Sequence, residues 1–348
     1  MGHSAARAND LCGAAKLRSL ALFLLMLTPA IPCFAAKLVS MEMSPKRAVP
    51  NPLADSEKVL MQGRIDDAIA RLQPLIATNP QDGRAHLLLC RAFYAEELVD
   101  DAVSECEAAL GTLSNDSKAQ DWMGRAYGIK ADRSGMIAGY KLASKVRIAF
   151  ETAVELDSRN DDAVNDLSEY YVGAPAIVGG GVDKALALAT RVEPQLPQTA
   201  HRIRALAAEK QHDPDTAERE FKAAVSVAGH SDAWTDLGHF YYRRGQKDQA
   251  LEALHEAIDS DRARGPALVD AASILLKMHT EPELAERALR DYLASNAKTD
   301  AAPAFKAYVE LGNVLESTGD KQGAQTQFQD ALALARDYPP AKKAIHRL

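Results

Sequence analysis

The chain has 348 residues and a formal net charge of −7, with 47% hydrophobic, 26% charged and only 6% aromatic residues. That length admits two ordinary domains or one long repeat array, and an alanine-rich mixture poor in aromatics favours helices held by small aliphatic contacts. The acid surplus excludes non-specific nucleic-acid binding and leaves no whole-chain footprint of an anionic-membrane binder.

At the N-terminus Lys16 and Arg18 precede the apolar run SLALFLLMLTPAIPC, which Pro29 and Pro32 interrupt before Phe34, Ala35 and Ala36. A basic flank, a short apolar segment and a small-residue exit read as a secretory signal peptide over 1–35, with cleavage after Ala35 or Ala36. An uncleaved anchor is the alternative, though the run is short for spanning and the prolines weaken it. No later segment is apolar and long enough to cross a bilayer, so export places the remainder in a periplasm. Residues 36–53 read as a linker.

From residue 54 a pattern repeats about every 34 residues. Its clearest copy begins at Ser231, where Trp234, Leu237, Gly238 and Tyr241 are followed by Gly245, Ala250, Leu254 and Ala257. Apolar residues three and four apart line one face of each of two helices. Gly238 and Ala250 are small where two antiparallel helices would approach, and Gly245 suits the turn between them. The second-helix alanine recurs at 68, 102, 185, 217, 250, 285 and 324, with Val146 in its place in the third copy.

These spacings resemble the tetratricopeptide repeat. The resemblance implies an all-α, right-handed superhelical solenoid of about eight antiparallel helix pairs over 54–339. Insertions fall near 130–145 and 173–181, and a short capping helix covers 340–348. The stretch KVRIAFETAVELDSRNDDAVNDLSEYYVGAPAIVGGG also resembles a module of exported bacterial repeat proteins of undefined role.

The family geometry puts residues two and nine of each unit on a concave groove for protein or peptide partners. This makes Arg84, Arg91, Lys118 and Arg125 a basic candidate binding patch, followed by acidic Asp162, Glu169 and Asp232. The family's carboxylate clamp is not reproduced, because Leu87 and Asp121 stand where it would want a lysine or an amide. Cys90 and Cys106 face each other in that geometry, which leaves two readings open: buried free thiols or a disulfide.

No metal, cofactor or catalytic motif emerges, and the chain is not expected to be an enzyme. Glu252 and His255 form a lone Glu-x-x-His, whereas a dimetal site needs two such pairs. The acidic pairs Asp66/Asp67, Asp100/Asp101 and Asp161/Asp162 suit first helical turns. The alternative function is a small-ligand or nucleotide site at Gly179–Gly181, but Lys184 follows Gly181 too late for a phosphate loop and no strand precedes it. That stretch reads as an enlarged turn. Full burial of Trp234, as the pattern implies, makes Trp234→Ala cost about 3–5 kcal/mol in chemical denaturation.

Overall fold

The computed structural model describes residues 51–300 and 302–348, with no strand among them. The export signal expected at 1–35 and most of the expected linker lie outside the described residues. Eight helix pairs follow in chain order. They are α1 (Pro52–Met61) with α2 (Ile65–Thr78), α3 (Gly83–Ala95) with α4 (Val99–Leu113), α5 (Ser117–Asp132) with α6 (Met136–Leu156), and α7 (Asp161–Gly173) with α8 (Val182–Val192). Then come α9 (Pro197–Lys210) with α10 (Pro214–Ala228), α11 (Ser231–Arg243) with α12 (Lys247–Ser260), α13 (Ala267–Lys277) with α14 (Pro282–Ala294), and α15 (Ala304–Ser317) with α16 (Lys321–Leu334). A last helix, α17 (Pro339–Arg347), closes the end.

Local chemistry fixes where the pairs begin. In the first four units the leading helix is capped by Asn51, Asp82, Asp116 or Asn160, whose side-chain oxygen accepts from a backbone N–H two or three residues on. The paired aspartates of the sequence sit in the first turns of α2, α4 and α7, where a carboxylate favours the helix N-terminus.

Within a pair, the first helix gives a small residue where the second gives a large one. A Cβ added to Gly124 would fall inside the Phe150 ring, and one added to Gly312 would fall inside Phe328. A Cβ on Gly238 would meet Leu254 at 2.9 Å. In the second unit the same two positions hold Cys90 and Cys106, which form a disulfide across a Cα separation of 5.1 Å. Between the two open readings of these cysteines, the structure gives the bridge.

Successive first helices touch one another along the array, whereas successive second helices do not to a comparable extent. The first helices therefore form the inner wall of a curve and the second helices its outside. The curve is tight enough to bring its beginning onto its end. One apolar core contains Leu60, Ile65 and Leu72 of the first unit together with Tyr292, Phe305 and Phe328 of the last two. At this seam a Cβ on Gly63 would stand 2.5 Å from the Ala304 nitrogen, so glycine is required by close approach. Asp66 accepts from the Arg336 backbone N–H and side chain, both at 3.0 Å.

Trp234 departs from expectation. It is only half-buried, lining an open groove with Val225, Leu237 and Tyr241. With one ring face wet, truncation to alanine should cost about 2 kcal/mol rather than the value for a closed core.

The seam also buries a carboxyl. Glu96 is 1% exposed and one of its oxygens has no hydrogen-bond partner. Desolvation, then the nearby Asp66 carboxylate, pushes it up to about 7, although the Asp337 backbone N–H opposes this. A carboxyl whose pKa is raised on folding holds its proton longer in the folded chain, so stability falls as pH climbs from about 4.5 to about 7. Glu96→Gln should flatten that fall and raise stability above neutral pH by about 2 kcal/mol, as measured by urea unfolding across pH. An unchanged pH profile in the variant would refute this account of the seam.

Candidate functional site

The inner wall carries the densest set of charges in the molecule, and most of them are spent on neighbouring units. Arg91 pairs with Asp300 at 2.7 Å and Glu57 at 3.1 Å. Arg125 pairs with Asp166 and with Asp121 at 3.2 Å. Arg202 reaches Glu169 at 2.7 Å, Asp236 at 2.9 Å and Asn165 at 3.2 Å. Trp122 lies between the first two arginines, whose guanidinium carbons stand 5.7 and 4.7 Å from its ring centroid. Tyr94 meets the same ring edge-on at 5.4 Å.

This changes the character of the four expected basic residues. Arg84 and Lys118 are exposed and have no ion pair among the described residues. Arg91 and Arg125 are held in the wall, each with its side chain under a fifth exposed and with two or more carboxylates in reach. The structure does not bring the four into one free basic patch: Arg91 and Arg125 flank Trp122, while Arg84 and Lys118 stand at the starts of their helices. The cause is the seam for Arg91, since Asp300 comes from the other end of the chain. For Arg125 it is the stacking of α5 on α7.

Farther along the wall the balance turns acidic. Asp270, exposed at the surface of the wall, is pushed up to about 6, first by desolvation from the surrounding wall and then by Asp232 and Asp236, with Lys277 only partly opposing. Asp232 and Glu310 are also raised, with desolvation again the leading cause. Neither Asp270, Asp232 nor Glu310 has an ion pair among the described residues. His239 is pulled down to about 4 by desolvation and by Arg243 and Lys277, so it is neutral at physiological pH.

Buried Asp121 is raised by desolvation against the pull of Arg125, and one of its oxygens has no partner. The wall is thus a charged surface with two locked arginine clusters, an uncompensated acidic stretch and two free cations at one end.

The other candidate, the glycine turn, uses its own polar groups. Gly180 and Gly181 N–H donate to Pro175 and Tyr171 carbonyls, at 3.2 and 2.8 Å. Lys184 donates to the Gly179 carbonyl at 2.8 Å, and Arg147 lies against Gly179. A Cβ at Gly180 would collide with the Ala174 carbonyl, which explains a glycine there by packing alone. His255 pairs with Glu281 at 2.8 Å rather than with Glu252. Among the described residues, no group of three or more His, Cys, Asp or Glu side chains is placed to hold a metal.

Sequence reading missed Trp122, Arg202, Asp236, Asp270 and Glu310. A usable signal was present: opposite charges one repeat apart, as in Glu57/Arg91, Arg202/Asp236 and Glu209/Arg243, all separated by 34 residues. It also missed a polar lock in which His86 meets Glu105 at 2.6 Å and His201 meets Glu220 at 2.7 Å, each pair 19 residues apart.

The fold and wall define a solenoid of helix–turn–helix repeats with a charged inner surface. Three tetratricopeptide-repeat family models match residues 59–125, 204–267 and 305–338. These three segments of the chain are tetratricopeptide repeats. The chain is similar to the protein NPGR2 of Arabidopsis thaliana, with 30% identity over 105 residues, 29% of this chain but only 14% of that protein. Among solved structures, a thermophilic TPR protein of Thermus thermophilus is similar at 18% identity and TM-score 0.43, covering 65% of this chain and 98% of the other. A tetratricopeptide repeat protein of Parabacteroides merdae is similar at 12% identity and TM-score 0.42, covering 85% and 96%.

Because Arg125 neutralises buried carboxylates, Arg125→Ala should destabilise the fold by about 3–5 kcal/mol in thermal or urea unfolding. Arg84→Ala and Lys118→Ala should each stay within about 0.5 kcal/mol of the parent. Equal, small effects at all three positions would show that the arginine clusters are solvated surface charges.

Proposed function

We propose that the protein is an exported, non-enzymatic scaffold that holds an extended segment of a protein partner along its inner wall. Tetratricopeptide repeats mediate protein–protein interaction, which supports the coarser part of this reading. The observation that carries the finer part is the acidic stretch of Asp232, Asp270 and Glu310, whose charges crowd one another with no ion pair among the described residues and only Lys277 partly offsetting Asp270 and Glu310. A Lys- or Arg-bearing segment would relieve that crowding, and Arg84 and Lys118 would receive acidic residues at the other end. The Cys90–Cys106 disulfide fits an oxidising compartment, which supports export to a periplasm and a role in envelope assembly or secretion.

The test is binding of a fluorescent lysine-rich peptide followed by anisotropy. Affinity should rise as pH climbs through about 6, because Asp270 gains its negative charge there. Asp270→Asn together with Asp232→Asn should weaken binding by about tenfold and remove that pH response. Peptide binding that is indifferent to both changes would sink the acidic-wall reading. Intact-mass measurement of the protein recovered from its native envelope tests export, since a retained residue 1–35 segment would contradict signal cleavage.

A further inference from the structure

Seven large apolar side chains are markedly exposed among the described residues, and four of them, Met136, Ile137, Tyr140 and Ile177, belong to the start of α6 and to the turn braced against it. Met136, Ile137, Tyr140, Ile148 and Leu156 belong to α6, and Ile177 belongs to the turn that follows α7. Ten residues of α6 precede Val146, its first buried residue, where α12 and α16 have three before the equivalent alanine, so the α5–α6 hairpin is longer by about 10 Å of helix. At 21 residues α6 is the longest helix described, beside neighbours of 13 and 11.

The two insertions of the sequence form one body here. Tyr170 donates its hydroxyl proton toward the carbonyls of Ala143, at 2.9 Å, and Val178, at 2.8 Å, bracing the overhang against the glycine turn. Ile177 is 82% exposed and neighbours in sequence Val178, which lines one cleft with Met136; Met136 is 78% and Ile137 77% exposed.

The same segment is cationic in an acidic chain. Residues 128–147 hold Lys130, Arg133, Lys141, Lys145 and Arg147 against a single acid, Asp132. Lys130, Arg133 and Arg147 have carboxylate partners in Asp100, Glu97 and Glu151. Lys141 and Lys145 have none among the described residues, although Lys145 donates to the Tyr127 hydroxyl at 3.3 Å. Helical spacing puts Ile137, Lys141, Lys145 and Ile148 on the outward side of α6, opposite buried Val146, Phe150 and Ala153.

We propose that this braced hairpin is a peripheral membrane-docking site. Met136, Ile137 and Ile177 enter the headgroup boundary of an anionic bilayer, and Lys141 and Lys145 lie against its lipid phosphates. Apolar insertion and basic attraction are each weak alone and sufficient together. A second copy is a poorer occupant, because a two-fold pairing of this face brings two cationic patches together and adds no carboxylate to offset them. A peptide is also poorer, since Ile137 and Ile177 stand outside the cleft that Met136 and Tyr140 form with Pro175 and Val178. No described helix is long and apolar enough to cross a membrane, so the attachment is to the surface. The local patch prevails over the net acidity of the chain because charges beyond about 8 Å are screened at physiological salt.

The experiment is co-sedimentation of the full chain with vesicles of phosphatidylcholine plus phosphatidylglycerol, and with phosphatidylcholine alone. The expected result is preferential binding to the mixed vesicles. Ile137→Asp with Ile177→Asp should reduce it by tenfold or more. Lys141→Gln with Lys145→Gln should reduce it by about fivefold per lysine on mixed vesicles only. All these side chains are exposed, so an unchanged melting profile checks the fold. Equal binding to both vesicle types, or undiminished binding by the isoleucine variant, overturns the proposal. So does a loss in that variant of dimerisation, or of binding to an acidic amphipathic peptide, while vesicle binding persists. Asp232→Asn with Asp270→Asn should leave vesicle binding untouched, so this site and the inner wall stand or fall separately.

Discussion

Three of the units are held by one point of close approach, where a small residue of the first helix receives a large residue of the second. Gly124 and Phe150, Gly238 and Leu254, and Gly312 and Phe328 are versions of that contact, and Cys90 with Cys106 makes it covalent. The size difference lets each pair close without a void. Once it closes, the orientation of each pair is set, and stacking the pairs puts the first helices inside and the second outside. The inner wall, its charges and the curvature that joins the ends all follow from this packing.

Curvature has an electrostatic consequence. On a concave wall, side chains from successive helices converge, so charges that would be solvated on a flat surface are desolvated and brought within reach of each other. Arginines respond by bridging carboxylates of adjoining units, as Arg202 does between Glu169 and Asp236. Where no arginine is available, the carboxyls are pushed upward, as at Asp270. The wall is therefore part of the structure: its paired charges fix the curve, and its unpaired ones are left on the surface.

The insertions have a different physical basis. A solenoid buries only what touches the neighbouring unit, so additional residues extend outward from the repeat. The α5–α6 overhang and the Gly179–Gly181 turn are separated in sequence but lie on adjoining units, and Tyr170 ties them together. This union gives the exposed apolar residues of α6 a fixed geometry. A loop of the same composition would lack it.

The repeat period, the helix pairs, the first-turn aspartate pairs and the facing positions of Cys90 and Cys106 were all legible in the sequence, because they depend on residues three, four or 34 places apart. The glycine turn was legible for the same reason, since a helix on each side fixes where its chain must go. Contact between the first and last units was not legible. It depends on small rotations summed over eight pairs, and no local spacing encodes that sum. Arg91 illustrates the difference: periodicity placed it on the inner wall, but only tertiary closure set Asp300 against it. The half-exposure of Trp234 and the crowding at Glu96 and Asp270 were likewise decided by the curve, because burial and electrostatic coupling depend on what lies across space.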